Sequence, residues 1–492
     1  MDSSNDGNNN KGTNYQPPSG GGYRPPSAGK KNRKLVWAVV AVVIIVVVAT
    51  VSVEAYYSNK AAHTITIWSS QSAGGETQVF DQAVKAFEAK YPNITLSIDT
   101  AVNVGSASTY LTAAHAGKAP NVYRDTSDDA AVLWASGSLI NMSDEFNSSY
   151  FAQFEPAALN DWTYHGSIYG IPININGNAL YYNKMYVKTP PKTIYQLIQE
   201  AKNVTGKTSP NGKTVYGFPY GLGLWYGYNA AAWFPAFNAT IFNASMYPQL
   251  NSVNSTKTIG FLYNLTYVYK VSPTGLSTTN DVISMFEDNE SAFIEEGPWM
   301  QATFESYLGN NLGVAPLPYN NVTGSWVEPI WGSIGYVVSN SKASGANPTQ
   351  IWASIQFVKM MTNITNQELL FKEAGDFPSA IAANSWAVAH NSTDPFAKYW
   401  FEQEEHTQIQ PNYLAFNAYW TPFNTQMYAL YVGGHGNITQ AANALEQQII
   451  STMKSAGYPP FISATTISLL QTSSVSENIF FFAESYGNVI RL

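Results

Sequence analysis

Residues able to make or break bonds are unevenly placed along this chain. Carboxylates pair at Asp128-Asp129 and Glu295-Glu296 and cluster at Glu402, Glu404 and Glu405. Hydrolysis by two carboxyl groups needs them facing each other across a substrate, roughly 5 Å or 7–9 Å apart. Neighbours in an extended segment, such as Glu295 and Glu296, point to opposite faces. The cluster from Glu402 to Glu405 reads as a solvated helix face, and Asp128-Asp129 as helix-capping or first-turn acids. The six histidines, His63, His115, His165, His390, His406 and His435, share no metal-ligand spacing. Without cysteine there is no thiol nucleophile, disulfide or Cys-ligated metal. Gly20-Gly21-Gly22 and Gly433-Gly434 lack the strand–loop–helix setting of a phosphate loop. Catalysis therefore has little support. Recognition has more: 13 Trp and 32 Tyr stand among many neutral hydrogen-bonding side chains.

The elements that must position these residues follow a strand–helix rhythm. Alternation predicts a strand at Thr64–Trp68, and apolar residues at 79, 80, 83, 84 and 87 predict a helix over 76–90. A strand over 94–98, a helix over 110–116, a buried strand at 119–123 and a helix over 128–136 follow. Units of this size predict a three-layer α/β lobe. At 492 residues the chain exceeds one compact domain, so two lobes with appendages are expected.

Only 12% of residues are charged, and the net charge of −8 gives no reason to expect a nucleic-acid partner. Neutral polar side chains keep a surface wet at any pH, as an acidic exterior would favour. Residues 1–34 are rich in Asn, Gly, Pro and Ser and predict disorder. The uncharged run over 35–53 then has the length of a membrane-spanning helix, with Lys30, Lys31, Arg33 and Lys34 before it and Glu54 after it. That asymmetry predicts an uncleaved single-pass anchor, a cytoplasmic tail, a spacer over 54–63 and an extracellular remainder in the cell membrane's outer space. Sequons at Asn93, Asn141, Asn147, Asn203, Asn238, Asn243, Asn254, Asn264, Asn321, Asn363, Asn391 and Asn437 follow the run, and none precedes it, so N-linked glycans are expected outside.

The segment YGIPININGNALYYNK, starting at Tyr169, resembles the crossing segment of extracellular solute-binding proteins, the maltose-binding-like sugar receptors of ABC importers (family 1, archaeal type). Further pieces fall in that family's order. They are TITIW with FEAKYPNITL, GKAPNVYRDTSDDAAVLWASGSLINMSD, FEDNESAFIEEGPW with LGVAPLP, WGSIGYVVSN with the helix Pro348–Met361, and FNAYW with the helix over 441–454. The resemblance runs from about residue 64 to 456 and implies an α/β, two-lobe periplasmic-binding-protein-like fold (type II). Lobe I would comprise 64–173 with 330–384 and lobe II 178–326 with 390–457, joined at 173–177, 327–331 and 384–391. Residues 458–492 would be an extension whose apolar stretches, 462–470 and 479–483, are too short to span a bilayer.

That family implies a receptor without catalysis or cofactor, passing a sugar or oligosaccharide to ABC permease subunits. Sugars offer apolar faces rimmed by hydroxyls, which aromatic plates and a few polar groups recognise. Trp299 and Trp420 match stacking tryptophans of the family. Trp331 stands beside Gly332 at a crossing, and Trp225, Tyr226 and Tyr228 fall in a region that supplies ligand contacts. Asp128 or Asp129 matches an acidic hydroxyl-binding position, and Asn176 replaces a glutamate at the crossing. Ser69, Gln71 and Gly75 replace a charged pair expected of the bacterial maltose receptor, which weakens maltose as the particular ligand. Two other readings are an extracellular glycan-active enzyme, which would release reducing sugar, and a surface-lattice or filament glycoprotein, which would self-assemble without ligand.

Overall fold

The computed structural model describes residues 63–71, 74–221, 226–390, 395–432 and 436–460, with Val42 alone before them. The chain divides into a unit at 1–61 and a compact unit from 62 onward. The expected disordered tail, most of the spacer and the stretches after 460 lie outside the described residues, as do Trp225 and Asn391.

One expectation is corrected here. Among the described residues no helix is long and apolar enough to cross a membrane. The run over 35–53 lies outside them apart from Val42, which is helical and exposed. No transmembrane helix is thus found among the described residues, and the single-pass membrane location loses its structural basis.

The folded unit is built on two sheets. In the first, β1 (Thr64–Trp68) lies parallel to β2 (Thr95–Asp99) and β3 (Val122–Thr126), linked through α1 (Gly75–Lys90) and α2 (Ala107–His115). Alternation along β1 buries Ile65 and Ile67, and the apolar stripe of α1 buries Val79, Phe80, Ala83 and Phe87 against them. A fully buried side chain of this size contributes about 1.5–3 kcal/mol. After β3 comes a single 3₁₀ turn, Ser127–Asp129, and then α3 (Ala130–Ala135).

The second sheet is antiparallel. Its central strand β5 (Ala179–Asn183) pairs with β6 (Phe293–Glu296) and β7 (Leu312–Ala315). Around it lie α4 (Ile194–Val204), α5 (Tyr226–Ala231) and α6 (Val253–Tyr267), burying Trp233, Phe261 and Leu262 in a separate core. A capping box sets the start of α4: Thr193 Oγ1 accepts the Gln196 N–H, and Gln196 Oε1 accepts the Thr193 N–H.

Three segments tie the sheets together. β4 (Gly170–Asn176) belongs to the first sheet, and Gly177-Asn178 separates it from β5 in the second. β8 (Ile330–Val338) returns antiparallel to both β3 and β4. Near Phe377 the chain touches β4 again, where the Ile175 N–H donates to the Phe377 carbonyl at 2.9 Å. A two-residue strand, β9 (Gln408–Ile409), runs parallel to β8 at Ile330 and Trp331. These passages bring the ends of β3, β6 and β8 together beside α5.

Candidate functional site

The residues beside those strand ends form a wall of aromatic and acidic groups. Asp128, in the 3₁₀ turn after β3, is half-buried, and burial raises its carboxyl above the usual range. Asp129 accepts the Ala107 N–H at 3.0 Å, so it clamps the start of α2. Its carboxyl is raised by burial and by Asp128 beside it. The turn itself is held by Ser127 Oγ, which accepts the Ser333 N–H at 3.0 Å. The Asp161 carboxylate takes both the Ser333 N–H, at 2.9 Å, and its O–H, at 2.7 Å. Burial pushes Asp161 up to about 7.

Glu295 and Glu296 end β6, and their two fates differ. Glu295 is enclosed: it accepts from Trp233 Nε1 at 2.9 Å, Asn178 Nδ2 at 3.3 Å and Tyr220 O–H at 3.4 Å. Burial nevertheless pushes it up to about 8. Glu296 accepts the Gly297 N–H at 3.0 Å and a hydrogen bond from Trp299, and burial raises it to about 7. Both acids border a small cavity of about 30 Å³ shared with Tyr226 and Asn229.

Trp299 and Trp420 adjoin this wall, each half-buried. Trp299 folds back over Gly297, where a Cβ would lie 2.2 Å from its ring; only glycine admits the ring there. Trp420 packs edge-on against Phe416 and Tyr419, with centroids at 5.0 and 5.2 Å, and its indole N–H has no protein partner. The first turn of α5 lies against Trp420. Gly227 approaches the Trp420 ring to 3.5 Å, as measured from an ideal Cβ. Tyr228 donates to the Ile330 carbonyl at 2.9 Å and feels the charges of Asp128 and Glu296. Asn417, within FNAYW, donates to the main-chain oxygen of Asp128 at 2.9 Å.

Other expected residues are spent on internal packing and hydrogen bonds. Trp331 is 5% exposed and packs with Ala158 and Ile175, 6.3 Å from Phe377. Tyr226 is buried, its ring stacked 5.7 Å from Phe423 and its hydroxyl 3.2 Å from that of Tyr431. Asn176 uses both ends of its amide internally, donating to Asp376 Oδ1 at 2.7 Å and accepting the Phe377 N–H at 2.9 Å. Gln71 donates to Ser69 Oγ at 2.7 Å. Behind them Arg124 and Glu76 form a buried ion pair at 2.9 Å, and burial with the nearby Glu76 charge raises Asp376. Breaking such a pair leaves an uncompensated charge, so these groups hold the sheet together.

A pocket of about 240 Å³ lies one helical turn beyond Asp128, bordered by Ala131, Trp134, Tyr164, Asn412 and Leu414. Sequence reasoning missed Glu296 as a wall residue, because alternation assigns faces without saying what each face meets. It also missed Asn417, whose signal was its place three residues before Trp420.

The chain belongs to the bacterial extracellular solute-binding protein family, which it matches over residues 82–400. The maltooligosaccharide ABC transporter solute-binding lipoprotein of Streptococcus pneumoniae is 24% identical over 389 residues, 77% of this chain and 87% of that protein. The maltose/maltodextrin-binding domain from Bdellovibrio bacteriovorus, solved with maltotriose, superposes with a TM-score of 0.71 at 24% identity, covering 80% of this chain and all (100%) of that domain. The maltotriose-binding protein of Thermus thermophilus gives a TM-score of 0.69 at 21% identity, over 79% of this chain and 100% of its own. The architecture is accordingly the bilobed α/β fold of periplasmic binding proteins, and its relatives are binding proteins, not enzymes.

Proposed function

We propose that this protein captures a sugar or oligosaccharide between its two lobes and delivers it to the membrane subunits of an ABC importer. The observation that carries this reading is a pair of half-buried tryptophans at one wall: Trp299 bonds to Glu296, Trp420 lies against Gly227 of α5, and the next residue, Tyr228, feels the charges of both Asp128 and Glu296. Indole faces suit the apolar sides of sugar rings, and carboxyl and amide groups suit their hydroxyls. The similar proteins named above, from a maltooligosaccharide transporter and two maltotriose complexes, support the same ligand class. The pocket bordered by Trp134 and Leu414 extends the site and favours an oligomer over a single ring. The lobe boundaries near 173–177, 327–331 and 384–391 belong to the same reading, with closure about these passages accompanying capture.

A thermal-shift screen of the chain tests the reading with maltotriose, longer maltodextrins, trehalose, glucose and pentose oligomers. Mass action predicts that a ligand at 100 times its Kd adds about 2.7 kcal/mol. A maltodextrin is expected to raise the midpoint by several degrees. No response to any sugar would defeat the sugar assignment.

N-linked glycans are proposed on the exposed sequons. Asn93, Asn147, Asn203, Asn238, Asn243, Asn321 and Asn437 are exposed, whereas Asn141, Asn254, Asn264 and Asn363 are half-buried. The glycan bond forms at Nδ2, and the Nδ2 atoms of Asn254 and Asn363 already donate to the carbonyls of Asn238 and Met360. Capping asparagines such as Asn147 and Asn437 use Oδ1 instead. Asn289-Glu290-Ser291 is a further sequon, but Asn289 is half-buried and accepts from Asn183. Glycopeptide mass spectrometry of protein from its native host should find sugar at the exposed set and none at Asn254 or Asn363. The reverse pattern would refute the proposal.

A further inference from the structure

Gln410 follows β9 and ends at the same wall, although its sequence context, Ile409-Gln410-Pro411, carries no binding signature. It is 3% exposed, and its amide nitrogen has no hydrogen-bond partner in the protein. Its Oε1 lies 3.0 Å from where a Cβ on Gly332 would stand, and Ser127 Oγ lies 3.1 Å from the same point. Glycine at 332 therefore makes room for these two polar side chains.

No described group accepts from the Gln410 amide. Ser127 Oγ already takes the Ser333 N–H, and the Asp161 carboxylate is engaged by Ser333. One residue along the same turn, Asp128 receives Asn417 Nδ2 on its main-chain oxygen. The other end of that amide, Asn417 Oδ1, is also buried without a partner. The wall thus holds an idle donor and an idle acceptor near the Ser127-Asp128 turn. Leaving such groups unpaired in a folded interior is costly, so a fold that retains both has a use for them. A sugar hydroxyl donates and accepts, and adjacent hydroxyls on one ring can meet both groups.

We infer that Gln410, with Asn417, binds hydroxyl groups of the captured sugar and sets which hydroxyl pattern is accepted; the inference rests on the sugar-receptor reading above. A ligand lacking the matching hydroxyl leaves both amides unpaired, so rejection exceeds the loss of one hydrogen bond.

The test is isothermal titration of the full chain with maltotriose and with single-position deoxy analogues. Wild type is expected to reject at least one analogue by tenfold or more. Gln410→Met, unbranched and of similar length, should bind maltotriose about tenfold more weakly and bind that analogue nearly as well as the parent sugar. Gln410→Ala carries the same test if the methionine variant misfolds, with unliganded melting temperature as the check. Wild-type affinity and wild-type discrimination in a folded variant would overturn the inference alone, and would mean that water satisfies the amide. A wild-type chain that binds no sugar would overturn the receptor reading and this inference with it.

Discussion

Trp299→Ala is expected to bind maltotriose about 100-fold more weakly than wild type, a loss of about 2.7 kcal/mol. The size follows from the ring's situation. Gly297 lets the indole lie directly over the backbone, and Glu296 holds it by a hydrogen bond. The plate is therefore positioned before ligand arrives, and little ordering cost offsets the stacking it provides. Rigid aromatic groups in partly desolvated positions are where truncation costs most. Because Trp299 is only half-buried, its removal should lower the unliganded melting temperature by no more than about 3 °C. Isothermal titration beside a melt separates the two effects. Unchanged affinity would remove Trp299 from the site. Trp233→Phe provides the contrast, since Trp233 is wholly buried and bonded to Glu295: stability should fall and affinity should follow only weakly.

The second large effect is on pH. Burial lifts Glu295 to about 8 and Glu296 and Asp161 to about 7, and raises Asp125 and Asp376 as well. In the unfolded chain these carboxyls titrate near 4. Between about pH 4 and pH 8 the folded state therefore holds more protons than the unfolded state. Stability then falls as pH rises through that interval, because the slope follows protons bound unfolded minus protons bound folded. The contribution is fully present below about pH 4 and is lost by about pH 8. Each tenfold change in proton affinity is about 1.4 kcal/mol, so several such groups together are worth on the order of 5 kcal/mol after structural relaxation. Melting temperature should rise by about 5–10 °C between pH 8 and pH 5. A flat or opposite trend would show these acids to be ionised and paired in the fold. Glu295→Gln, which keeps the shape and removes the charge, should flatten part of the slope. The scarcity of charged surface residues points the same way, since neutral side chains do not change with acid.

Most of the local structure was legible in the residues. β1 occupies Thr64–Trp68 and the helix at Pro348–Met361 has the bounds its pattern gives, because one buried face imposes a period of two or 3.6. Ends were less accurate: the helix expected over 441–454 runs Ile438–Ala456, started by the Asn437 side chain and stopped by left-handed Gly457. The ordered set of weak motifs was enough to indicate the family. An apolar run of membrane length was not enough to establish a spanning helix.

Pairing across the chain was decided only by the tertiary structure. Tryptophans at 299, 331 and 420 look alike in sequence, yet Trp331, on β8, is packed against Ala158 and Ile175 while the other two border the wall. The difference arises because β8 lies between β3 and β4, so that its neighbours, 150 or more residues away, choose which face is covered. The place of Asn176 at a crossing predicts a ligand group, but its amide is filled by Asp376 and Phe377, 200 and 201 residues distant. Gln410 shows the converse: nothing around it in sequence sets it apart, and only the glycine of β8 leaves it room. Periodicity fixes which face of an element is apolar, whereas the partners that saturate or spare a polar side chain come from contacts that sequence order does not contain.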